Sequence, residues 1–199
     1  MSALPEIFEN QSEIENENLN NIDLSLKKIY SKSFCQCKFV NCDFTETRIL
    51  NSRFNECFFE NCNFSNTVFD QTRLEYVKFN ECKIVGVNFG LCDHKLIFEI
   101  DFDKCVILFS DFSNLNLKRR KFTESIIKAC SFSFSNLEEA QFNKSDLTET
   151  IFSASNLRFA DFRESFNYNI NLNDVKIKET KFSLPEALNL LKPFNIVIE

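Results

Sequence analysis

Residues 122–162 read FTESIIKACSFSFSNLEEAQFNKSDLTETIFSASNLRFADF, and every fifth residue of this stretch, counted from Phe122, is Phe, Leu or Ile. The same spacing holds without exception from Phe34 to Phe89 and from Phe102 to Phe162. We call these residues the centres. So short and regular a repeat indicates a chain built of stacked, similar units.

The five-residue period excludes the two commonest regular structures. Five residues advance an α-helix by roughly 500°, so successive centres would lie about 140° apart and would form no stripe. Side chains of a strand alternate with period two, which places residues five apart on opposite faces of a sheet. The chain must therefore turn a corner within every five residues, and repeated turns produce a coil whose amides pair with the coils above and below.

Small residues precede the centres. Cys, Ser, Thr or Ala stands two positions before most of them, as in Cys42, Ser135 and Ala140, and the other positions are mostly polar. Large and small side chains together fill a narrow interior, while polar positions face water. Because 17 of the 25 Phe residues lie at centre positions, counting Phe182, which keeps the same spacing, a packed core accounts for the aromatic content without a ligand.

The composite pattern is small, Asp or Asn, Phe or Leu, polar, polar, as in SDLTE at 145–149, SNLRF at 155–159 and CDFTE at 42–46. In this it resembles the pentapeptide-repeat family, over roughly residues 30–182. The resemblance implies an all-β fold, a right-handed quadrilateral β-helix with one repeat per side and residues twenty apart stacked. Under that geometry two opposite sides carry Phe ladders, at 102, 122, 142 and 162 and at 112, 132 and 152.

We expect one elongated domain over residues 1–182, with three departures from the repeat. Residues 1–30 keep the spacing but place Glu17 and Lys27 at small-residue positions, so they form an imperfect capping coil. A break near 90–98 holds three extra residues, and both glycines lie at its leading edge, so Gly90, Leu91, Asp93, His94 and Lys95 are expected to bulge as a partner-binding loop. A minor break falls near 165–171, before Leu172, Ile177 and Phe182 resume the count.

Residues 183–199 have a different pattern. Ser183 and Glu186 are spaced as a capping box, Pro185 suits a first helical turn, and Leu184, Leu188 and Leu191 recur at helical spacing. A short amphipathic capping helix followed by a terminal strand is predicted. The ending resembles the dimerisation region of topoisomerase-protecting members of the family, so we expect a homodimer; the alternative is a self-contained cap in a monomer. The expected interface residues are Leu184, Leu188, Leu191, Phe194, Ile196 and Ile198.

The nine cysteines follow the repeat. Seven lie two positions before a centre, Cys92 would as well if the first register continued, and only Cys35 falls outside it. We therefore expect buried, reduced thiols that act as small apolar side chains. A redox or metal role is the alternative, but Cys35, Cys37 and Cys42 do not have the paired spacing of structural zinc sites.

No catalytic pattern is present in the sequence. His94 is the only histidine, so a multi-histidine metal site is impossible, and two glycines four apart do not form a phosphate-binding loop. We expect no enzyme activity, no cofactor and no metal. The opening residues lack the basic and apolar regions of a secretory signal and no apolar stretch could span a membrane, so a cytoplasmic protein without membrane contact is expected.

The charge is uneven along the chain. Residues 1–93 carry 14 acidic and nine basic side chains, whereas residues 94–199 carry 15 acidic and 14 basic side chains. Lys118, Arg119, Arg120 and Lys121 form a basic cluster, which is either a solvated patch or a contact site for an acidic partner. Arg120 also occupies a small-residue position, so a local bulge or an escaped side chain is expected there.

Two binding functions remain open. The order of features resembles the albicidin and microcin immunity branch of the family. This resemblance implies a DNA mimic that binds DNA gyrase or topoisomerase IV and protects it from inhibitors, with no direct contact to nucleic acid. Such mimicry needs acidic side chains in place of phosphates. The alternative is an interaction scaffold with another partner, because Val106, Leu108, Phe109 and Ile126 are expected to lie outward on one side.

Overall fold

The computed structural model describes residues 6–194, with side chains through Leu191. The chain winds into a four-sided β-solenoid in which all paired strands are parallel and most partners lie 20 residues apart. Phe34 pairs with Phe54, and Phe39 with Phe59. The expected all-β coil with stacked repeats is thus confirmed.

We number the four sides of the coil in chain order. Side 1 holds the strands Glu13–Glu15, Ser33–Cys35, Arg53–Asn55 and Arg73–Glu75; side 2 holds Asn18–Asn20, Lys38–Val40, Phe58–Glu60, Val77–Asn80, Ile100–Asp103, Phe122–Thr123, Asp161–Phe162 and Lys181–Phe182; side 3 holds Lys83–Val85, Val106–Leu108 and Ile126–Lys128; side 4 holds Lys28–Tyr30, Arg48–Leu50 and Val68–Asp70. Isolated bridges, such as Asn136 to Asn156 on side 1, join the coils elsewhere.

Each corner is made by a residue in the left-handed backbone region. Among residues 6–194, 29 non-glycine residues have a positive φ, and 28 of them, all but Asn167, lie two positions after a centre or after a residue that continues the five-residue spacing of the centres. This region costs ordinary L-residues about 1–2 kcal/mol and is tolerated best by Gly and Asn. Hydrogen bonds between coils hold the corners in place, as where the N–H of Asn41 donates to the carbonyl of Glu60 at 3.0 Å.

The centres fill the interior with two continuous aromatic ladders. On side 2, the Phe102, Phe122 and Phe142 rings stack with centroids 5.2 and 5.1 Å apart, and on side 4 the Phe112 and Phe132 rings lie 4.8 Å apart. Rings on the two sides meet edge to face. The predicted Phe ladders on opposite sides are confirmed, and the coil spacing of a parallel ladder suits stacked rings.

The small residues seal the tube by bonding to the backbone. The hydroxyl of Thr47 donates to the carbonyl of Leu24 at 2.7 Å, and that of Ser145 to the carbonyl of Phe122 at the same distance. Cysteine thiols occupy the same positions, and Cys42, Cys62 and Cys82 form one column. All nine cysteines are free thiols and only Cys35 is not buried. Burial raises the pKa of the Cys130 thiol to about 11, so it stays protonated at neutral pH.

The N-terminal segment differs from the imperfect coil expected for it. Its four centres are fully or almost fully buried, and its strands pair regularly with the next coil. Neither Glu17 nor Lys27 is buried: Glu17 is exposed and Lys27 is half-buried. The tube is closed by a short α-helix, Glu6–Asn10, whose buried Phe8 meets the Phe34 ring at 5.4 Å. The backbone ladder imposes the coil even where the small residue is missing.

The last coil departs from the register at Asn167. Asn167 has a φ of 59°, and Tyr168 and Ile170 turn inward in its place. The buried Tyr168 hydroxyl has no hydrogen-bond partner among the described residues. Leu172 is half-buried, but Ile177, expected to resume the core, is exposed. No further coil packs against Ile177 among residues 6–194, and its side chain is therefore exposed within this part of the chain.

The predicted short C-terminal helix is present as a 3-10 helix, Glu186–Phe194. Ser183 and Glu186 do not form a capping box. The Ser183 hydroxyl accepts a hydrogen bond from the N–H of Glu164 at 3.2 Å, and the Glu186 carboxylate accepts one from the N–H of Asn167 at 2.8 Å. These bonds fasten the segment to the preceding coil, with Leu190 buried against it. The predicted terminal strand lies outside the described residues.

We predict that Phe132→Ala destabilises the protein strongly, whereas Phe134→Ala, two residues away, does not. Phe132 is 0% exposed within a ladder and Phe134 is 68% exposed at a corner. Removing a buried Phe side chain costs about 3–5 kcal/mol, whereas exposed substitutions stay within about 0.5 kcal/mol. Urea unfolding of both variants measures the difference. Equal effects would show that the ladder is not the core.

Candidate interaction surfaces

A loop interrupts side 1 between two regular halves of the rod. Phe79 pairs with Phe102, 23 residues on rather than 20, so three extra residues lie between them. The ladder continues as far as Asp93, whose N–H donates to the carbonyl of Thr72 at 3.1 Å, and resumes where the N–H of Glu99 donates to the carbonyl of Leu74. The three extra residues are therefore accommodated in a loop that protrudes from the rod between Asp93 and Glu99.

An ion pair fixes each end of this loop. Arg73 Nε lies 3.1 Å from an oxygen of Asp93, and Arg120 Nη1 lies 2.8 Å from an oxygen of Glu99. The hydrogen bond from Arg73 lowers the pKa of Asp93. Phe98 is buried beneath the loop. The loop is thus anchored at both ends and along its inner edge.

The protruding residues are only partly those that the sequence indicated. Gly90 and Leu91 belong to a 3-10 helix, Phe89–Leu91, that stays within the ladder, and Asp93 is held by Arg73. The exposed tip is 94–97, which includes the predicted His94 and Lys95 and adds Leu96 and Ile97. Nδ1 of His94 donates to the carbonyl of Cys92 at 2.9 Å. The apolar tip was missed because the periodic pattern does not say where expelled residues point.

The basic cluster at 118–121 is largely neutralised by neighbouring coils. Lys118 Nζ lies 2.5 Å from Glu138, and Arg119 Nε lies 2.9 Å from Glu139, each one coil further along. These hydrogen bonds lower the pKa values of both glutamates. The Arg120 side chain leaves the interior to pair with Glu99, as expected of an escaped side chain. Three of the four bases are therefore not free to attract an acidic partner.

Side 3 exposes apolar residues near the middle of the rod. Val106 and Ile126 are adjacent outward residues of paired strands, Leu108 lies beside them, and Phe109 occupies the next corner. Ile126 and Phe109 are exposed, and Val106 and Leu108 are half-buried. The outward position expected for all four is thus confirmed. Among charged neighbours, Lys128 pairs with Asp146 at 2.7 Å.

Three of the six residues predicted to form a dimer interface have described side chains. Leu184 is 76% exposed, Leu188 is also exposed, and Leu191 is half-buried. The side chain of Phe194, together with Ile196 and Ile198, lies outside the described residues. The described part of this end thus leaves two leucines uncovered on a segment that is fastened to the rod by Ser183 and Glu186.

The surface offers no assembled reactive centre among residues 6–194. No group of three or more His, Cys, Asp or Glu side chains in this range could hold a metal ion. A polar groove of about 450 Å³ runs along side 1, but its Arg53 pairs with Glu75 and its Arg73 with Asp93. Within the same range, no helix has the length and apolar composition needed to cross a bilayer.

Two family models match the sequence. One, for the pentapeptide repeat region, covers residues 32–97, and the other, for pentapeptide repeats in eight copies, covers residues 130–166, together just over half of the chain. No match is found among curated protein sequences.

Similar solved structures include two trypsin-treated variants of QnrB1, a plasmid-mediated fluoroquinolone resistance protein. They are 14% and 15% identical, have TM-scores of 0.72 and 0.63, and each match covers 94% of this chain and 97% of the other. Another similar structure is HetL, a pentapeptide repeat protein involved in heterocyst differentiation regulation from the cyanobacterium Nostoc sp. strain PCC 7120. It is 12% identical with a TM-score of 0.43, and the match covers 85% of this chain and 86% of HetL. At such identities the likeness to QnrB1 shows a shared fold.

We predict that limited trypsin digestion of the native protein first cuts the rod after Lys95. Lys95 lies in the exposed tip. Lysines and arginines elsewhere between residues 13 and 182 lie in coils whose backbone is hydrogen-bonded to neighbouring coils, so the chain there must unfold locally before it can enter a protease active site. Mass spectrometry of the early fragments identifies the cut. Lys95→Gln should abolish it, and an equally early cut within the ladder would contradict the anchored-loop geometry.

Asp146 gives the rod a defined acid sensitivity. Burial by itself would raise the pKa of Asp146, but hydrogen bonds from Lys128, Thr148 and Asn167 outweigh it and lower the pKa to about 2. The ordinary value is 3.8, so this stabilisation is present above pH 4 and is lost as pH falls toward 2. We predict that Asp146→Asn loses less stability than the unaltered protein between pH 5 and 2, measured by urea unfolding. Parallel losses would contradict the assignment.

Proposed function

We propose that this chain, which belongs to the pentapeptide-repeat family, is a nonenzymatic rod that binds DNA gyrase or topoisomerase IV and protects the enzyme from inhibitors. The observation that carries the proposal is the shared solenoid with QnrB1 along nearly the full length of both chains, because QnrB1 is described as a fluoroquinolone resistance protein. A stiff rod holds its surface groups at fixed spacing, which suits recognition of a large enzyme.

Two features of the rod support a binding role of this kind. The loop carries an exposed apolar tip on anchored ends, so it can reach a partner without losing its position. The C-terminal end leaves Leu184 and Leu188 uncovered, and we include in the proposal a homodimer formed through this end, with Leu191, Phe194, Ile196 and Ile198.

The charge distribution limits where DNA mimicry could act. In the C-terminal half, Glu138, Glu139, Asp146 and Asp161 are each paired with a base, so they do not form a free row of negative charge. The excess of acids lies in residues 1–93, with 14 acids against nine bases. In a dimer joined at the C-termini, phosphate-like surface would therefore occupy the outer arms and not the centre.

A second candidate function is an interaction scaffold for another protein. It is favoured by the exposed apolar residues of side 3, Val106, Leu108, Phe109 and Ile126, because contiguous apolar surface on a soluble rod indicates a contact site. A pull-down that recovers a partner other than a topoisomerase, and loses it with Phe109→Ser, would favour this function.

The proposed function is tested by supercoiling assays with purified gyrase and topoisomerase IV, in the presence of a quinolone or albicidin. We predict that the protein restores activity at inhibitor concentrations that otherwise stop the enzyme. Leu96→Ser at the loop tip should lower protection, while Leu26→Ser, at an exposed corner distant in sequence, should not. Absence of both binding and protection for the unaltered protein would reject the proposal.

A further inference from the structure

The C-terminal half of the rod is amphipathic around its long axis. Three successive coils offer 18 outward positions on sides 3 and 4 and 18 on sides 1 and 2, counting one before, one after and two after each centre from Ile107 to Phe162. On sides 1 and 2, 11 of the 18 residues are charged. On sides 3 and 4, only Asp111, Lys128, Asp146 and Glu149 are charged, and Lys128 pairs with Asp146.

The charge-poor side carries exposed aromatic residues that the fold does not explain. Phe109 and Phe134 occupy corners with φ values of 52° and 59°, where Asn or Gly is the favourable residue, and each is 68% exposed. They therefore gain neither burial nor backbone preference within the rod. Bulky residues held in this conformation at the surface point to a function outside the fold.

Other apolar and small residues extend this surface. The outward residues of sides 3 and 4 include the exposed Ile126 and Ile151, the half-buried Val106 and Leu108, and a flat set of small residues, Ser113, Ser131, Ser133, Ser153, Ala129 and Ala154. Eighteen residues approach the roughly 20–30 a side of a stable protein interface, and low charge with aromatic residues is typical of an interface centre.

We propose that sides 3 and 4 of the C-terminal half are the docking surface for a folded protein partner whose contacting face is apolar and carries basic groups. The inference rests on the proposed function for the identity of that partner, a type II topoisomerase. It differs from phosphate mimicry, because the contact is made by Phe109 and Phe134 and not by a row of acids.

The unpaired charges of this surface indicate whether its partner is a second copy of the chain or a different protein. Asp111 and Glu149 have no ion pair among the described residues, so both uncompensated charges are acidic. Two copies of the chain joined here would bring like charges together in a desolvated contact, which is unfavourable. A partner with a Lys or Arg opposite each carboxylate would pair them. The surface therefore suits a different protein better than a second copy.

The decisive variants keep the fold and remove the aromatic contacts. Phe109→Asn and Phe134→Asn place a residue that favours the corner conformation, so the doubly substituted rod should unfold at no lower urea concentration. Phe159→Asn is the matched control, because Phe159 is also a corner residue with φ of 60° but faces sides 1 and 2. Purified gyrase and topoisomerase IV serve as the probes.

We predict that the double variant raises the Kd for the topoisomerase at least about tenfold, while Phe159→Asn changes it less than about twofold. Unchanged binding by the double variant would overturn the docking surface and leave the proposed function intact. If the unaltered protein binds neither topoisomerase, the proposed function fails, and the surface is then judged by cross-linking alone.

Cross-linking uses a photoreactive phenylalanine analogue placed at 109, 134 or 159 of the full chain in its own host. Cross-links at 109 and 134, absent at 159, into an apolar peptide with basic residues of another protein support the surface. Mass spectrometry identifies that peptide. Absence of cross-links at 109 and 134, equal cross-linking at 159, or cross-links to a second copy of the chain would overturn it.

Discussion

The whole structure depends on hydrogen bonding between backbone amides of coils that lie 20 residues apart. Each coil presents its N–H and C=O groups to the next, as from Asn61 to Asn80 and from Leu137 to Asn156. Buried backbone groups must be paired, so the coil length is fixed. That spacing then places aromatic centres about 5 Å apart, the distance at which parallel rings stack.

The same constraint explains how the rod treats irregular sequence. Three extra residues near the middle cannot be spread along the ladder, because a shift of one residue would turn every centre outward. They protrude as a loop from side 1, between Asp93 and Glu99, and Arg73 and Arg120 hold the flanks by ion pairs to these two residues. A charged Arg120 side chain would be unfavourable inside the apolar tube, so it points outward. Its ion pair with Glu99 there also anchors one end of the loop.

Outward positions are released from this constraint, and they differ between the sides. Sides 1 and 2 of the C-terminal half hold cross-coil ion pairs such as Lys118 with Glu138, which neutralise the surface within the chain. Sides 3 and 4 hold few charges, and Phe109 and Phe134 stand at corners where the fold gains nothing from them. The interior of the rod is therefore regular, whereas its outer surface has a charged half and a charge-poor half. Because outward residues do not affect the core, a repetitive solenoid can carry a specific binding surface.

The sequence by itself determined the coil, the buried thiols, the outward residues of side 3 and a departure from the repeat at Arg120, because each follows from the position of a residue within its own repeat. The opposed Phe ladders followed from the repeat together with the four-sided geometry that the family resemblance implied. Only the tertiary structure decided the helical cap with Phe8, the inward turn of Tyr168, the exposure of Ile177 and the 3-10 geometry of Glu186–Phe194. It also decided which loop residues protrude. These features depend on which side chains and backbone groups of the neighbouring coil are available for contact. A five-residue period contains no information about those contacts where the regular stacking of coils is interrupted.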